Sequence, residues 1–93
     1  MKILTENPRA RVTEVVYEPG VRRESYLRPT DQIIVFLEDC KYDRIDSETG
    51  TALRRTRKSG EVLWHAKGEV APVLVNIGQR AFRTLLIELS DPE

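Results

Sequence analysis

The chain carries few side chains that act as nucleophiles or exchange protons near neutral pH. His65 is its only histidine and Cys40 its only cysteine, so any histidine-dependent acid–base step must use His65. One histidine and one cysteine do not make a confident Ser-His-Asp or Cys-His arrangement. Cys40 follows a tight turn at Glu38-Asp39 and is interpreted as a spare thiol. The residue types therefore argue against nucleophilic catalysis.

The strongest charge cluster is the run Arg54-Arg55-Thr56-Arg57-Lys58. Such a run can contact phosphates, but it also suits an edge strand whose charges discourage edge-to-edge pairing. Acidic residues in the preceding segment can neutralise it across strands, and no aromatic residue interleaves with it to stack on bases. With 15 basic and 15 acidic residues and no net charge, the sequence predicts no nucleic-acid partner and no polybasic membrane contact.

Turn signals divide the chain into short segments rich in β-branched and aromatic residues. Such segments, separated by a turn about every ten residues, are typical of an all-β sandwich or barrel. The third and fourth segments, joined by Ser47-Glu48-Thr49-Gly50, are predicted to form a hairpin in which Gly50 supplies a positive φ. The predicted strands are Arg11–Tyr17, Gln32–Leu37, Lys41–Asp46, Thr51–Arg57, Val62–His65, Val73–Ile77 and Phe82–Leu89.

Length and composition indicate one small globular domain. The chain has 93 residues, of which 40% are hydrophobic and 32% charged, enough apolar material for a core. No apolar run reaches the roughly 20 residues of a membrane helix, and residues 1–8 lack the apolar core of a signal peptide. We therefore expect a cytoplasmic protein without a membrane partner, made of a single domain over residues 1–93 in which residues 1–10 are peripheral.

Two predicted strands are apolar on both faces. Ile33-Ile34-Val35-Phe36-Leu37 is unbroken, and Leu85-Leu86-Ile87 repeats the pattern in the last strand. In so small a domain, the outer side of such strands must be covered. A homodimer is the expected cover. Loops or the N-terminal segment are the alternative.

Two stretches resemble the motifs of the cupin superfamily. Gly20, Tyr26, Arg28, Gln32 and Asp39 keep the spacing of its first motif, G-x5-H-x-H-x3-4-E-x6-G. The second motif, G-x5-P-x-G-x2-H-x3-N, is echoed with one surplus residue. Its counterparts here are Gly60, Ala66, Gly68, Ala71 or Pro72, and Asn76. Over roughly residues 14–89, the resemblance implies a cupin-type barrel, a double-stranded β-helix or jelly roll.

The same resemblance implies that the metal site of the family is lost. Its two first-motif histidines fall on Tyr26 and Arg28, its glutamate on Gln32, and its last histidine on Ala71 or Pro72. A divalent transition metal prefers imidazole nitrogen or carboxylate oxygen, and Arg28 would place a fixed positive charge at the cation's position. We therefore predict no metal and no cofactor.

In place of the metal, the resemblance suggests a polar pocket for an organic anion. Alternation places Tyr26 and Arg28 on the inner face, and the family's strand geometry adds Gln32 to them. Trp64 and Asn76 are predicted to close the ring around Arg28, which can fork onto a carboxylate or phosphate. The alternative is that Arg28 pairs internally with Glu24 or Glu88. His65 neighbours Trp64 in a strand, so the two face opposite sides, and the family pattern favours a surface or interface position for His65.

Three functional classes follow from the sequence. The first is a metal-independent module that binds a small organic anion. The second is a dimerising scaffold without a ligand. The third is a metal-free isomerase or epimerase in which Tyr26 is the acid and Arg28 orients a carboxylate; it lacks an obvious base, because Gln32 does not accept a proton. We rank the binding module first, the scaffold second and the enzyme third. The fold alone does not choose among them, because one barrel can support many chemistries.

Overall fold

The computed structural model describes residues 1–90, which form strands and turns without a helix. These residues therefore include no helix that could cross a membrane. The strands are β1 (Lys2–Glu6), β2 (Ala10–Tyr17), β3 (Arg22–Arg23), β4 (Tyr26–Leu27), β5 (Asp31–Phe36), β6 (Cys40–Ile45), β7 (Ala52–Arg57), β8 (Val62–His65), β9 (Val70–Ala71), β10 (Val73–Asn76) and β11 (Phe82–Leu89).

The strands form two antiparallel sheets that face each other, with a short ribbon beside them. One sheet has the order β1-β2-β11-β5-β8, the other has the order β3-β10-β6-β7, and β4 pairs with β9. Neighbouring strands in each sheet are often far apart in sequence, as in a jelly roll, where the chain crosses repeatedly between sheets. The all-β prediction is confirmed.

An aromatic cluster joins the two sheets. Phe36 and Phe82 come from the five-stranded sheet, Tyr42 and Leu74 from the four-stranded sheet, and all four are buried. The Tyr17 ring stacks on Phe82 at 4.9 Å between centroids, and the Phe36 and Tyr42 rings lie parallel at 6.1 Å. Aromatic pairs at these distances add to the stability gained from burial alone, so this cluster holds the sandwich closed at one end.

The outer side of the five-stranded sheet is apolar across four strands. Ile87 pairs with Val12 on one side and with Ile33 on the other, and Ile33 pairs with Trp64. A second row follows from Leu85 through Val35 to Val62. Trp64 and Val62 are 57% and 59% exposed. We call this surface the outer apolar face; its residues are Val12, Ile33, Val35, Val62, Trp64, Leu85 and Ile87.

The hairpin predicted between the third and fourth segments is present as β6 and β7. Gly50 ends its turn at φ 75°, a conformation that costs glycine little and other residues more. The Asp46 carboxylate accepts hydrogen bonds from the backbone N–H groups of Glu48 and Thr49, at 2.8 and 3.0 Å. These bonds lower the pKa of Asp46 and fix the turn.

Four strands were not predicted. β3, β4 and β9 have two residues each, too few to show an alternating pattern. β1 is fully exposed and pairs with β2 at the edge of the five-stranded sheet. Its residues gain from backbone pairing rather than from burial, so hydrophobic periodicity does not reveal it.

Candidate functional site

Arg28 is held in place by its own backbone. It lies between β4 and β5, where its N–H donates to the Glu69 carbonyl and its carbonyl accepts from the Gly68 N–H, both at 2.9 Å. Gly68 has φ 89°, a left-handed conformation that permits this close crossing of the two loops. The clamp directs the Arg28 side chain into the interior, where the residue is only 3% exposed.

Three of the predicted site residues form one hydrogen-bonded cluster. Arg28 Nη1 donates to Gln32 Oε1 at 2.6 Å and to Tyr26 Oη at 3.3 Å. Tyr26 Oη in turn donates to Gln32 Oε1 at 3.3 Å. Gln32 is buried at 1% exposure, and its amide is neutral. The arginine charge is therefore solvated by neutral oxygens and is not cancelled by a carboxylate.

The internal ion pairs considered for Arg28 do not form. Glu24 pairs with Arg22 at 2.9 Å, and Glu88 pairs with Arg11 at 2.8 Å. Within residues 1–90, Arg28 makes no ion pair, and its buried Nε has no hydrogen-bond partner. Burial lowers the pKa of the Arg28 guanidinium, and the nearby charge of Arg23 acts in the same direction. The group stays charged at neutral pH because an arginine pKa starts so high.

A cavity of about 150 Å³ lies beside this cluster and is lined by four arginines and His65. In the four-stranded sheet, Leu74 pairs with Arg23 on one side and with Arg44 on the other, so both guanidinium groups share its inward face. Arg57 is the fourth, and it faces Glu61 at 3.8 Å. Arg44 makes no hydrogen bond or ion pair with residues 1–90. None of the lining residues in the described chain is acidic.

Strand β8 presents His65, rather than Trp64, to this cavity. Leu63 packs against the aromatic core, so alternation places His65 on the same inner face and Trp64 on the outer one. The histidine that was predicted at a surface or interface thus faces the cavity, with its side chain 25% exposed. Trp64 is among the residues around the cavity, but its side chain is 57% exposed and lies opposite Ile33. It does not provide the predicted aromatic wall.

His65 is oriented by an acidic partner. Its Nδ1 lies 3.1 Å from Glu69 Oε2. Burial lowers the pKa of His65, and the charge of Arg28 adds to this, whereas the contact with Glu69 opposes it. The same contact lowers the pKa of Glu69. At neutral pH the imidazole is thus uncharged, with Nδ1–H donated to Glu69 and Nε2 left as an acceptor.

Asn76 does not belong to the ring predicted around Arg28. It is buried at 1% exposure, and its Nδ2 donates to the carbonyls of Tyr17 and Arg80, both at 2.9 Å. Its Oδ1 accepts from the Gly78 N–H at 2.9 Å. The amide closes the turn between β10 and β11 and is absent from the cavity lining. Its role is structural.

The donor set does not fit a divalent metal. Tyr26, Arg28 and Gln32 stand together, and Ala71 pairs with Tyr26 in the β4–β9 ribbon. Within residues 1–90, no three His, Cys, Asp or Glu side chains converge. A cation at this point would face the fixed charges of Arg28 and Arg23. We derive no chemistry from a metal here.

Apart from Arg57, the other sequence candidates lie outside the cavity. The basic run forms β7 at the edge of its sheet, where Arg54 pairs with Asp43 at 3.3 Å and Lys58 with Asp39 at 3.7 Å. Cys40 is a free, half-buried thiol. Burial raises the pKa of Cys40 to about 11, which keeps the thiol protonated and unreactive near neutral pH.

Comparison with solved structures identifies the architecture. A cupin domain from Bordetella pertussis Tohama I superimposes with a TM-score of 0.84 at 18% identity, over 97% of this chain and 91% of that one. The domain has the cupin fold. A cupin superfamily protein from Desulfitobacterium hafniense DCB-2 gives 0.69 at 15% identity, over 96% and 74% of the two chains. A Cupin 2 conserved barrel domain protein from Salinispora arenicola CNS-205 gives 0.70 at 16%, over 96% and 73%. The sequence matches no family model and no curated protein.

Several residues of the candidate site were missed from the sequence. Arg23 and Arg44 flank Leu74 only once the sheet register is known. Glu69 reaches His65 from the loop that clamps Arg28. One signal was available for Arg44, which is two residues from Tyr42 in a predicted strand and therefore shares its face.

Proposed function

We propose that this cupin domain binds a small organic anion without the help of a metal ion. The observation that carries the proposal is the Arg28 guanidinium, which is 3% exposed and has no carboxylate partner within residues 1–90. It stands in a cavity lined by three further arginines. A buried charge is costly unless it is paired. A bound carboxylate or phosphate would supply the missing partner through two parallel N–H···O bonds.

The cavity limits the size of the anionic group. A space of about 150 Å³ holds a molecule the size of benzene, about six non-hydrogen atoms. A carboxylate with a short substituent, or a phosphate, fits within that limit. Tyr26 and Gln32 orient the Arg28 guanidinium. Arg44 provides a second cation, which makes no hydrogen bond or ion pair within residues 1–90, although its charge helps to lower the pKa of Asp46.

A thermal-shift experiment tests the proposal. Chelator-washed protein is melted with acetate, succinate, benzoate, phosphate, and a series of divalent metals. A ligand at 100 times its dissociation constant stabilises by about 2.7 kcal/mol, which moves the midpoint of so small a domain by several degrees. We expect an anion to raise the midpoint in the wild type and not in Arg28→Met.

Arg54→Met is the matched control, because Arg54 is an exposed arginine on the edge strand. It should retain the full response. Stabilisation by a metal, or an anion effect equal in Arg28→Met and wild type, would contradict the proposal. A silent panel would favour the ligand-free scaffold.

A second candidate function is metal-free proton transfer, and the position of His65 favours it. The sequence offered no base for an isomerase, but His65 lines the cavity with Glu69 on Nδ1 and Nε2 available. In this reaction Nε2 takes a proton from the carbon next to a carboxylate held by Arg28. Tyr26 donates a proton back to the substrate, and solvent then restores both residues. NMR in D₂O would detect exchange of that proton in the wild type and its loss in His65→Gln.

We also propose that a second copy of the chain covers the outer apolar face. Two unbroken rows of apolar side chains cross the sheet there, ending at the exposed Trp64 and Val62. The second row ends beside Leu85 at Glu14, whose carboxylate lies 3.9 Å from Arg83, so the charge at this edge is paired and two copies can meet across a two-fold axis without strong repulsion. Sedimentation should show a dimer that Trp64→Glu dissociates and that Leu27→Glu, at an even more exposed position, does not. A monomeric wild type would refute this. The single cysteine suits a reducing compartment such as the cytoplasm.

A further inference from the structure

A second, larger cavity adjoins the one lined by arginines. Its volume is about 570 Å³, and we call it the apolar cleft. Its floor is the inner face of the five-stranded sheet, represented by Val15, Ile34 and Leu86. Its opposite wall is the segment that includes Val21 and Leu27, which are 55% and 65% exposed. The cleft is therefore open to solvent and has apolar side chains on both sides. Charged residues also line it, and two of them, Arg11 and Glu88, form an ion pair at 2.8 Å.

The two spaces meet at the Arg28 cluster. Tyr17, Arg23, Ile34 and Thr84 line both of them. The guanidinium groups of Arg23 and Arg28 both lie over the Tyr26 ring, 5.5 and 5.6 Å from its centroid. Tyr26 and Gln32 line the cleft, whereas Arg28 lines the smaller cavity. A molecule in the cleft thus has positive charge at its inner end.

We propose that the ligand is an amphipathic anion, namely a carboxylate with an apolar chain or ring. The carboxylate would occupy the arginine-lined cavity, and the apolar part would lie in the cleft between Leu27 and Leu86. This inference rests on the proposed anion-binding function and adds the chemical class of the ligand. Charge complementarity sets the orientation of the ligand, because the arginines lie at the inner end of the cleft and attract the carboxylate. In proportion to a benzene-sized space of 150 Å³, the cleft accommodates roughly twenty non-hydrogen atoms.

Isothermal titration with straight-chain carboxylates tests this class directly. The series is acetate, butanoate, hexanoate and octanoate, each below its micellar concentration. A methylene that leaves water for an apolar surface gains about fourfold in affinity. We expect the dissociation constant to fall by about that factor for each added methylene, and Arg28→Met to weaken binding of every member.

Two leucines provide a matched pair of variants. Leu27 lines the cleft and is 65% exposed, whereas Leu53 is 49% exposed on the edge strand β7, outside the cleft. Both side chains are exposed enough for glutamine to be tolerated. Leu27→Gln should flatten the dependence of the dissociation constant on chain length and weaken octanoate binding more than acetate binding. Leu53→Gln should change neither.

The outcomes separate the two proposals. If short carboxylates bind through Arg28 and chain length has no effect, the amphipathic class is refuted while anion binding stands. If no carboxylate binds, both fail. If longer chains bind more tightly but Leu27→Gln does not alter the trend, the apolar part lies elsewhere and the inference is overturned. The same holds if octanoate converts dimer to monomer in sedimentation, because the cleft would then belong to a second copy.

Discussion

Asn76 and Arg28 are both buried polar residues, yet their hydrogen bonds differ in one decisive respect. The Asn76 amide makes three bonds of 2.9 Å to the backbone, which ties β10 to the turn before β11. The Arg28 Nε has no hydrogen-bond partner, and Nη1 donates only to neutral side chains. Buried polar groups are nearly always satisfied. A fully satisfied group is explained by the fold, whereas a group with donors left over calls for a further partner.

The largest expected loss of stability follows from replacing Asn76. Asn76→Ala removes three part-buried hydrogen bonds, those to the Tyr17 and Arg80 carbonyls and from the Gly78 N–H. We expect the free energy of unfolding to fall by about 3 kcal/mol, which corresponds to roughly 15 °C in the melting midpoint. Chemical denaturation measures it.

Gln79→Ala is the control, because Gln79 lies in the same turn with its side chain exposed. It should melt like the wild type. If Asn76→Ala lost less than about 0.5 kcal/mol, the amide would not hold the turn, and the contrast with Arg28 would disappear.

A smaller change in the free energy of unfolding is expected at Arg28, and it is either close to zero or stabilising. Replacing a buried charge with an apolar side chain of similar length is often neutral or stabilising, and Tyr26 and Gln32 still bond to each other after the change. Arg28→Met should unfold within about 1 kcal/mol of the wild type, or at a higher denaturant concentration. Arg28→Lys keeps the charge and should not gain stability. A loss of 3 kcal/mol in Arg28→Met would make Arg28 as structural as Asn76.

The fold could be predicted from local patterns in the sequence, whereas the candidate site could be predicted only in part. Seven predicted strands correspond to the seven long strands after β1, because alternation and turn residues act over a few residues. Tyr26, Arg28 and Gln32 were selected by the spacing of a resemblance, and their cluster is present. Alternation showed that Trp64 and His65 face opposite ways. Which of them faces inward depended on Leu63 packing against a core built from other strands, and no local pattern contains that information.

Asn76 also shows that contacts between residues distant in sequence are not visible in a local pattern. Its spacing matched the second motif, but its hydrogen bonds are set by the turn that follows β10 and by the carbonyl of Tyr17, which is distant in sequence. Arg23 and Arg44 converge only through the register of β3 and β6 on β10. Residues that act through neighbours in space were therefore missed, and residues that share a strand or motif were found.

The smallest effect concerns His65, and it depends on pH. Burial holds the pKa of His65 below its ordinary value of 6.5 in the folded chain, so the unfolded chain binds more protons below that pH. Stability should therefore be complete above pH 6.5 and decline as the pH falls toward and through the folded pKa. His65→Gln retains a donor to Glu69 and should lack this decline between pH 7.5 and 5.5. Carboxylates whose pKa is lowered, including Glu38 and Glu69, change the stability with pH only below about pH 4.5, so they do not contribute to the decline between pH 7.5 and 5.5.

The same pH titration also tests whether an anion binds in the cavity beside His65. A bound carboxylate beside Arg28 would place negative charge near His65 and favour its imidazolium form. With saturating ligand, the decline between pH 7.5 and 5.5 should then shrink in the wild type, and His65→Gln should show no such change. A decline that is identical with and without ligand would mean that the anion binds away from His65. The leftover donors of Arg28 would then need a different partner.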